Sequence, residues 1–358
     1  MILPKGISQR DIADHLGISI STVSRALNDN PRVSQLTRNA VKSAIEELSS
    51  TAQVEDPNVP MMIGITHSHS SDGMTDHQHE SVLDQVLGGV EVACRAYDAV
   101  PYPWQQSHLL SSDESIPFYS RISGVIMSGG EVDEGLIRSI KANDKPIVII
   151  GGHVPGAGIP SVAADSFDGM YQATRHLAGL GHSRIALVNG PNTTYTSREK
   201  RAGYLTALAD SGITFDPHLL VFRLGTAGFS DHTAEQLTRQ LLSLDSPPTA
   251  MIFATDAMAR AGYRVCRHLG LSIPGDISVV GFHDDDAAYA YPPLTTVRVN
   301  RYDWGVAAVE ELMRIVQEDK KRESRLLLPV KLVVRASTGP CPDTSASEHQ
   351  QQEEHVHG

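Results

Sequence analysis

Ile20, Ser21, Ser24, Arg25 and Asn28 lie within nine residues of one another. Together they supply a guanidinium, an amide, two hydroxyls and a branched apolar side chain, a set suited to the edges of base pairs in a major groove. A second cluster is His67, His69, His77 and His79 with Asp72 and Asp76. Imidazole and carboxylate suit zinc or nickel. The plainer reading is a solvent-exposed loop; it is preferred here, so no metal and no cofactor are expected. Cys94, Cys266 and Cys341 lie far apart and form no C-x-x-C pair, which excludes a disulfide framework and fits a reducing cytosol. No G-x-S-x-G, P-loop, H-E-x-x-H or G-x-G-x-x-G pattern is present, and no nucleophile stands out among the Asp and His residues.

The groove-reading set needs a rigid helix beneath it. Ser8 and Asp11 form an S-x-x-D box that starts a helix, with Ile12, Ala13 and Leu16 at helical spacing. Gly17 falls where a left-handed cap is needed, and Ser19 caps a second helix at once. Val23, Ala26 and Leu27 point this second helix inward, which turns Ile20, Ser21, Ser24, Arg25 and Asn28 outward. The turn of about three residues has helix-turn-helix length. Asn28-Asp29-Asn30-Pro31 ends the second helix. Ser34 opens a third, with Ala40, Val41, Ala44, Ile45 and Leu48 on one face. Spacing alone leaves a DNA-reading head and a plain three-helix bundle equally open.

At 358 residues, with 41% hydrophobic and 20% charged, the chain has globular composition and room for two or three domains. Its net charge of −12 is wrong for a nucleic-acid binder, but it is unevenly spread. Over residues 1–50, six cations (Lys5, Arg10, Arg25, Arg32, Arg38, Lys42) meet five acids (Asp11, Asp14, Asp29, Glu46, Glu47). That leaves +1 there and −13 on the rest. The head is not strongly basic, so DNA affinity cannot rest on bulk charge. No apolar h-region opens the sequence and no apolar run is long enough to span a bilayer, so a cytoplasmic protein without membrane contact is expected.

After residue 60, β-rich runs alternate with helical stretches. Strands are expected at residues 61–66, 124–128, 147–151, 185–189, 250–254 and 277–281, and helices at 81–97, 168–180, 198–211, 231–244 and 256–269. The alternation implies an α/β fold of doubly wound parallel sheets with ligands beyond the carboxyl ends of the strands. The length implies two lobes with a cleft.

The run Ile18-Ser19-Ile20-Ser21-Thr22-Val23-Ser24-Arg25-Ala26-Leu27-Asn28 closely resembles the second-helix signature of the LacI/GalR family of bacterial transcription regulators. Asp11-Ile12-Ala13-Asp14-His15-Leu16-Gly17 before it, and Val33-Ser34 to Leu48 after it, resemble the family's first and third helices. The likeness continues through Ser161-Val162-Ala163-Ala164-Asp165, Leu180-Gly181-His182-Ser183-Arg184, Pro248-Thr249-Ala250 to Thr255-Asp256, Ile273-Pro274-Gly275-Asp276, Pro292-Pro293-Leu294-Thr295-Thr296 and Arg335-Ala336-Ser337-Thr338. It implies a helix-turn-helix head over residues 1–49, a linker over 50–60 and a two-lobed periplasmic-binding-protein-like core over 61–339. Residues 340–358, rich in His, Gln and Glu, are expected as a disordered tail. On this likeness Ser19, Ile20, Ser21, Thr22, Ser24, Arg25 and Asn28 contact double-stranded operator DNA. The protein is then a repressor of a catabolic operon, not an enzyme. It works as a homodimer, with a tetramer as the alternative.

The same resemblance supplies effector positions. Asp168 falls where the family places a sugar-contacting residue, Phe229 where relatives carry an aromatic platform, and Asp256 on the Thr255-Asp256 match. The family's clamping Arg lies three residues before a Gly; here that Gly is Gly203 and the position holds Lys200, with Arg198 nearby as a substitute fork. The family's G-[FY]-D-D becomes Gly281-Phe282-His283-Asp284, and the stretch up to Pro292-Pro293 reads as one residue short; either His283 replaces the first Asp or Asp284 slides into its place, and Asp284 is preferred. These residues imply a sugar-like effector. Two departures stand out. The aromatic pair that relatives carry after the first strand is absent at Val82-Leu83. The stretch Ser49 to Pro60 is about four residues short and holds Glu55, Asp56, Pro57 and Pro60 with no Lys or Arg, which suggests a plain tether in place of a DNA-kinking hinge helix. The remaining readings are a ligand-binding α/β protein that has lost DNA binding, or a cytosolic enzyme.

Overall fold

A computed structural model describes residues 8–28, 30, 33–52, 60–67, 76–104, 122–128, 137, 145–222, 231–318 and 323–342. The chain begins with three helices, α1 (Gln9–Leu16), α2 (Ile20–Leu27) and α3 (Gln35–Ala52). The Ser8–Asp11 capping box forms in full, Gly17 takes the left-handed conformation at φ 63°, and the Ser19 side chain accepts from the Thr22 backbone N–H. Ile12, Ala13, Val23, Ala26, Leu27, Val33, Val41, Ala44 and Ile45 are buried together, with Leu16 and Ile18 packed against them. At roughly 1.5–3 kcal/mol per buried large aliphatic side chain, this small core is what sets the angle between α1 and α2. Ala40, expected inward, is exposed. Helix α3 runs three residues into the segment expected as linker; residues 53–59 of that segment lie outside the described residues.

The body follows in the order β1 (Met61–His67), α4 (Asp76–Ala96), β2 (Ala99–Trp104), β3 (Ile122–Ser128), β4 (Ile147–Ile150), β5 (Ser161–Ala164), α5 (Ser166–Gly179), β6 (Ile185–Asn189), α6 (Tyr195–Asp210), β7 (Leu220–Phe222), α7 (Asp231–Leu242), β8 (Ala250–Phe253), α8 (Asp256–His268), β9 (Ser278–His283), β10 (Thr295–Arg298), α9 (Arg301–Glu318), β11 (Arg325–Leu328) and β12 (Lys331–Val333). The strands form two six-stranded sheets, ordered β11-β5-β4-β3-β1-β2 and β12-β10-β9-β8-β6-β7. Among the described residues the strand pairs are parallel except for β12 on β10. Parallel strands covered on both faces read as unbroken apolar runs, and β4, β6 and β8 are buried along their whole length.

The chain passes between the sheets three times, at Asp165, at Val299–Asn300 and at Pro329–Val330. Helix α9 packs on α4 and on the first sheet, so the first lobe is completed by sequence from near the C-terminus. Gly89 and Gly305 let α4 and α9 approach closely: a Cβ on either would strike the backbone of the other helix. The second lobe is closed by the segment after β12. Ser337 Oγ donates to Val279 O at 2.6 Å and accepts from Thr295 N at 2.8 Å. Packing continues into the stretch expected as tail, since Cys341 N donates to Leu180 O at 2.9 Å. Residues 340–342 therefore belong to the body, and 343–358 lie outside the described residues.

Candidate functional site

On the head, α2 divides by exposure as its spacing dictates. Val23, Ala26 and Leu27 are buried, whereas Ser19, Ile20, Ser21, Arg25 and Asn28 are exposed and Thr22 and Ser24 half-buried. Ile20, 46% exposed, is a large apolar side chain left in water on this face. Ser19 Oγ is engaged as the helix cap and lies 2.8 Å from both Ser21 Oγ and Thr22 Oγ1. Asn28 donates its amide to Ser24 O at 3.0 Å. The face therefore offers one extended cation, one apolar contact and a hydroxyl cluster at the exposed N-terminal end of a helix.

In the body, the carboxyl ends of β8 and β9 and the start of α6 enclose a group of charged residues. The structure brings Lys200 and Asp256 together there, and adds His283, Asp285 and Arg301. Lys200 is buried in the second lobe. Its Nζ donates to Ala254 O at 2.7 Å and lies 3.9 Å from the centroid of the Phe282 ring. Burial pushes its ammonium down to about 7. Asp256 has no exposure; its two oxygens accept from Thr296 Oγ1 at 2.5 Å and Asp285 N at 2.7 Å. Burial pushes it up to about 7 despite those bonds. A Cβ on Gly281 would collide with the Asp256 carboxylate, so this strand position must stay bare.

Arg301, the first residue of α9, is 4% exposed and holds Asp285 through two bonds of 2.5 and 2.9 Å. Asp285 belongs to the β9–β10 loop of the second lobe, so this ion pair joins the lobes beside a crossover. Arg260 fixes the loop by donating to Asp285 O at 2.8 Å. His283 lies 3.9 Å from Asp285 Oδ2 with 24% of its side chain exposed. Burial, with Lys200 and Arg301 nearby, holds its imidazole well below the ordinary value, so it is neutral. His283, Asp284 and Asp286 have φ of 109°, 68° and 55°, a run of left-handed backbone that L-residues rarely adopt and that marks a strained loop.

Two of the other expected effector residues, Asp284 and Arg198, are engaged outside this cluster. Asp284 turns away to Arg298 Nε at 2.6 Å and Arg335 Nη2 at 2.7 Å; its neighbour Asp285 joins the cluster instead. The left-handed backbone at His283 and Asp284 sets Asp285, not Asp284, beside Arg301. Arg198 is exposed and bonds locally to Thr193 O at 3.2 Å. Residues two apart on a helix point to opposite sides, so Arg198 cannot substitute for Lys200. Asp168 is half-buried in the first turn of α5, accepting from Gln172 Nε2 at 2.6 Å; Gln172 Oε1 in turn accepts from Leu332 N at 3.1 Å. Phe229, the loop from His69 to Thr75 and residues 343–358 lie outside the described residues, as do the side chains of His67, His77, His79, Val82 and Leu83.

A second inter-lobe contact lies along the β5–β11 edge. Arg325 sits over the Tyr195 ring at 4.5 Å and reaches Glu199 at 3.2 Å, while His153 meets Tyr195 edge-on at 5.5 Å. Arg301, Asp285, Tyr195 and Arg325 carried no signal in the sequence beyond their types.

Comparison with known proteins bears on both sites. Residues 9–51 match the bacterial regulatory proteins of the lacI family, and residues 174–338 match a periplasmic binding protein-like domain. The HTH-type transcriptional repressor CytR of Escherichia coli strain K12 is 26% identical over 339 residues, covering 94% of this chain and 97% of the relative. The structure of the transcriptional regulator CelR in complex with cellobiose superposes with a TM-score of 0.66 and 27% identity, covering 92% of this chain and 99% of that one. The lac repressor dimer bound to operator and an anti-inducer superposes with a TM-score of 0.64 and 28% identity, over 94% of this chain and all of that one.

Proposed function

The chain belongs to the LacI/GalR family of bacterial transcription regulators, and from that premise we propose that it is a sequence-specific operator-binding repressor of a catabolic operon. It acts by binding and not by catalysis, as its relatives named for transcriptional regulation do. The observation that carries the reading is the division of α2: a buried apolar stripe fixes the helix on the head, and Ile20, Ser21 and Arg25 stand exposed on the other side. Arg25 contacts guanine as a fork and Ile20 packs on a thymine methyl, while the hydroxyls of Ser19, Ser21, Thr22 and Ser24 and the Asn28 amide serve phosphates and nearby bases.

One head reads only a few base pairs, so a homodimer on a pseudo-palindromic site is the working form. The DNA-bound dimer of the lac repressor supports this. So does the exposure of Tyr289 and Tyr291, at 88% and 87%, which a second copy would cover. The head runs to the end of α3 at Ala52, a linker joins it to β1 at Met61, and the effector-binding and dimerising core continues to residue 342. The effector is a small sugar-like molecule in the cleft lined by Asp168 and the Lys200–Asp285 cluster, a reading that the cellobiose complex of CelR supports. The protein meets its operator in the cytoplasm. A gel shift of the purified full chain on DNA from upstream of its own gene tests the reading. A discrete complex that survives excess random DNA is expected, and equal competition by random DNA would refute it.

A further inference from the structure

We propose that the effector of this chain is a small polyhydroxy carboxylate, and that its carboxylate replaces that of Asp285 on the Arg301 guanidinium. This rests on the reading of the cleft as the effector site and goes on to name the chemical class.

Arg301 is nearly enclosed at 4% exposure, so its charge needs an anionic partner at all times. The partner it has is a carboxylate held in fork-to-fork geometry, with two bonds of 2.5 and 2.9 Å. Asp285 itself is 30% exposed, so a solute reaches the pair from the Asp285 side. Its backbone is fixed by Asp256 and Arg260, but these bonds leave the side chain able to rotate away. Neither oxygen of Asp256 can take over, since both are committed within the lobe. The second buried cation, Lys200, bonds directly to a carbonyl and lies against a ring, and feels Asp256 and Asp285 only through space. The one carboxylate of the cluster that a solute can reach is therefore the one already on Arg301.

A neutral sugar cannot exchange with Asp285, because hydroxyls do not neutralise a buried guanidinium. A carboxylate exchanges one for one with the same geometry. The displaced Asp285 side chain stays at the open mouth beside His283, now 3.9 Å away, and returns to water. Since Arg301 belongs to the helix packed on the first sheet and Asp285 to the second lobe, the exchange also replaces an inter-lobe tie with a ligand. That is the differential contact a ligand needs if it is to shift the lobes.

The test uses the full chain with D-glucuronate, D-galacturonate and D-gluconate against D-glucose, D-galactose and inorganic phosphate, read by thermal shift and calorimetry. At least one acid should bind roughly tenfold or more tightly than its neutral counterpart. Asp285→Asn keeps the shape but removes the competing charge, so it should tighten the acid by about tenfold. Arg301→Lys keeps the charge but loses the fork and should weaken it. Weaker acid binding in Asp285→Asn would overturn the exchange, because a residue that binds ligand hydroxyls is lost in that direction. Phosphate binding without acid binding overturns the carboxylate assignment. Binding of glucose or galactose alone overturns the inference and leaves the cleft as the effector site. No binding by any of the six, by a chain still active on its operator, overturns both.

Discussion

Replacing Lys200 by Met should make the protein more stable at pH 7, and the advantage should vanish by pH 10. Unfolded, the lysine holds its proton up to 10.5; folded, burial releases it at about 7. Between these values the unfolded chain binds more protons, so stability from this group rises with pH and is lost as pH falls toward 7. The gap of about 3.5 pH units at 1.36 kcal/mol each sets a ceiling of about 5 kcal/mol, of which about 4 kcal/mol is lost by pH 7. Asp256 does not enter this window, because it titrates between 3.8 and about 7 and its stabilising effect declines over that lower range. Met fills the same channel beneath Phe282 without a charge. It leaves Ala254 O without its donor, which costs about 1 kcal/mol at every pH. The difference between variant and parent should therefore fall from about +3 kcal/mol at pH 7 to about 0 kcal/mol at pH 10, where the parent has shed all but about 1 kcal/mol of the cost. Urea unfolding of both proteins at pH 7, 8, 9 and 10 measures it. Profiles that run parallel within about 1 kcal/mol would refute a lysine carried into the interior at such cost.

Arg25→Ala should cost about 1–3 kcal/mol of operator affinity per half-site and relax base preference there; equal loss on random DNA in a binding titration would reduce Arg25 to a phosphate contact. Ser19→Ala removes the cap of α2 and should lower head stability by about 1 kcal/mol in a thermal melt, with operator affinity falling alongside it. Asp168→Ala should abolish the ligand response and leave operator affinity intact; unchanged heat of ligand binding would place the contacts elsewhere. The acidic, proline-bearing linker should bend the operator little, and a circular-permutation gel shift with a strong central kink would show that residues 50–60 act as a hinge helix after all.

The head was legible because its signals are local. Ser8, Gly17, Ser19 and Ser34 each cap or break a helix through their own side chain or backbone, and all four do so in the structure. Strands β1, β3, β4, β6, β8 and β9 announced themselves as apolar runs, unlike the interior strands β5 and β10 and the edge strands β2 and β7. The edge strands β11 and β12 did not: they are short, partly exposed and carry Arg325 and Lys331, so neither an apolar run nor a clean alternation marks them. The orientation of Lys200 was readable and was missed. Ser197, Lys200, Gly203, Tyr204 and Ala207 recur at three- and four-residue steps along α6 and are all buried, so a lysine in that series points inward. Which Asp of the β9–β10 loop stands beside Arg301 was not legible, because it is set by the left-handed backbone around residues 283–286 and not by residue type. Arg301 follows a strand and precedes Tyr302-Asp303, and reads as the solvated start of a helix. Its burial is a consequence of the second lobe folding over it.

The three crossings of the chain between lobes bear on how the protein is made. The first sheet takes its strands from residues 61–164 and 325–328, the second from 185–298 and 331–333. Neither lobe is a continuous stretch of polypeptide, so neither can finish while the last part of the chain is still in the ribosome. A premature stop near residue 320 would remove one edge strand from each sheet at a stroke, together with the Ser337 clasp on Val279. The nascent protein then carries two open sheet edges until residues 325–333 emerge, and that one short stretch seals both within about the same few seconds.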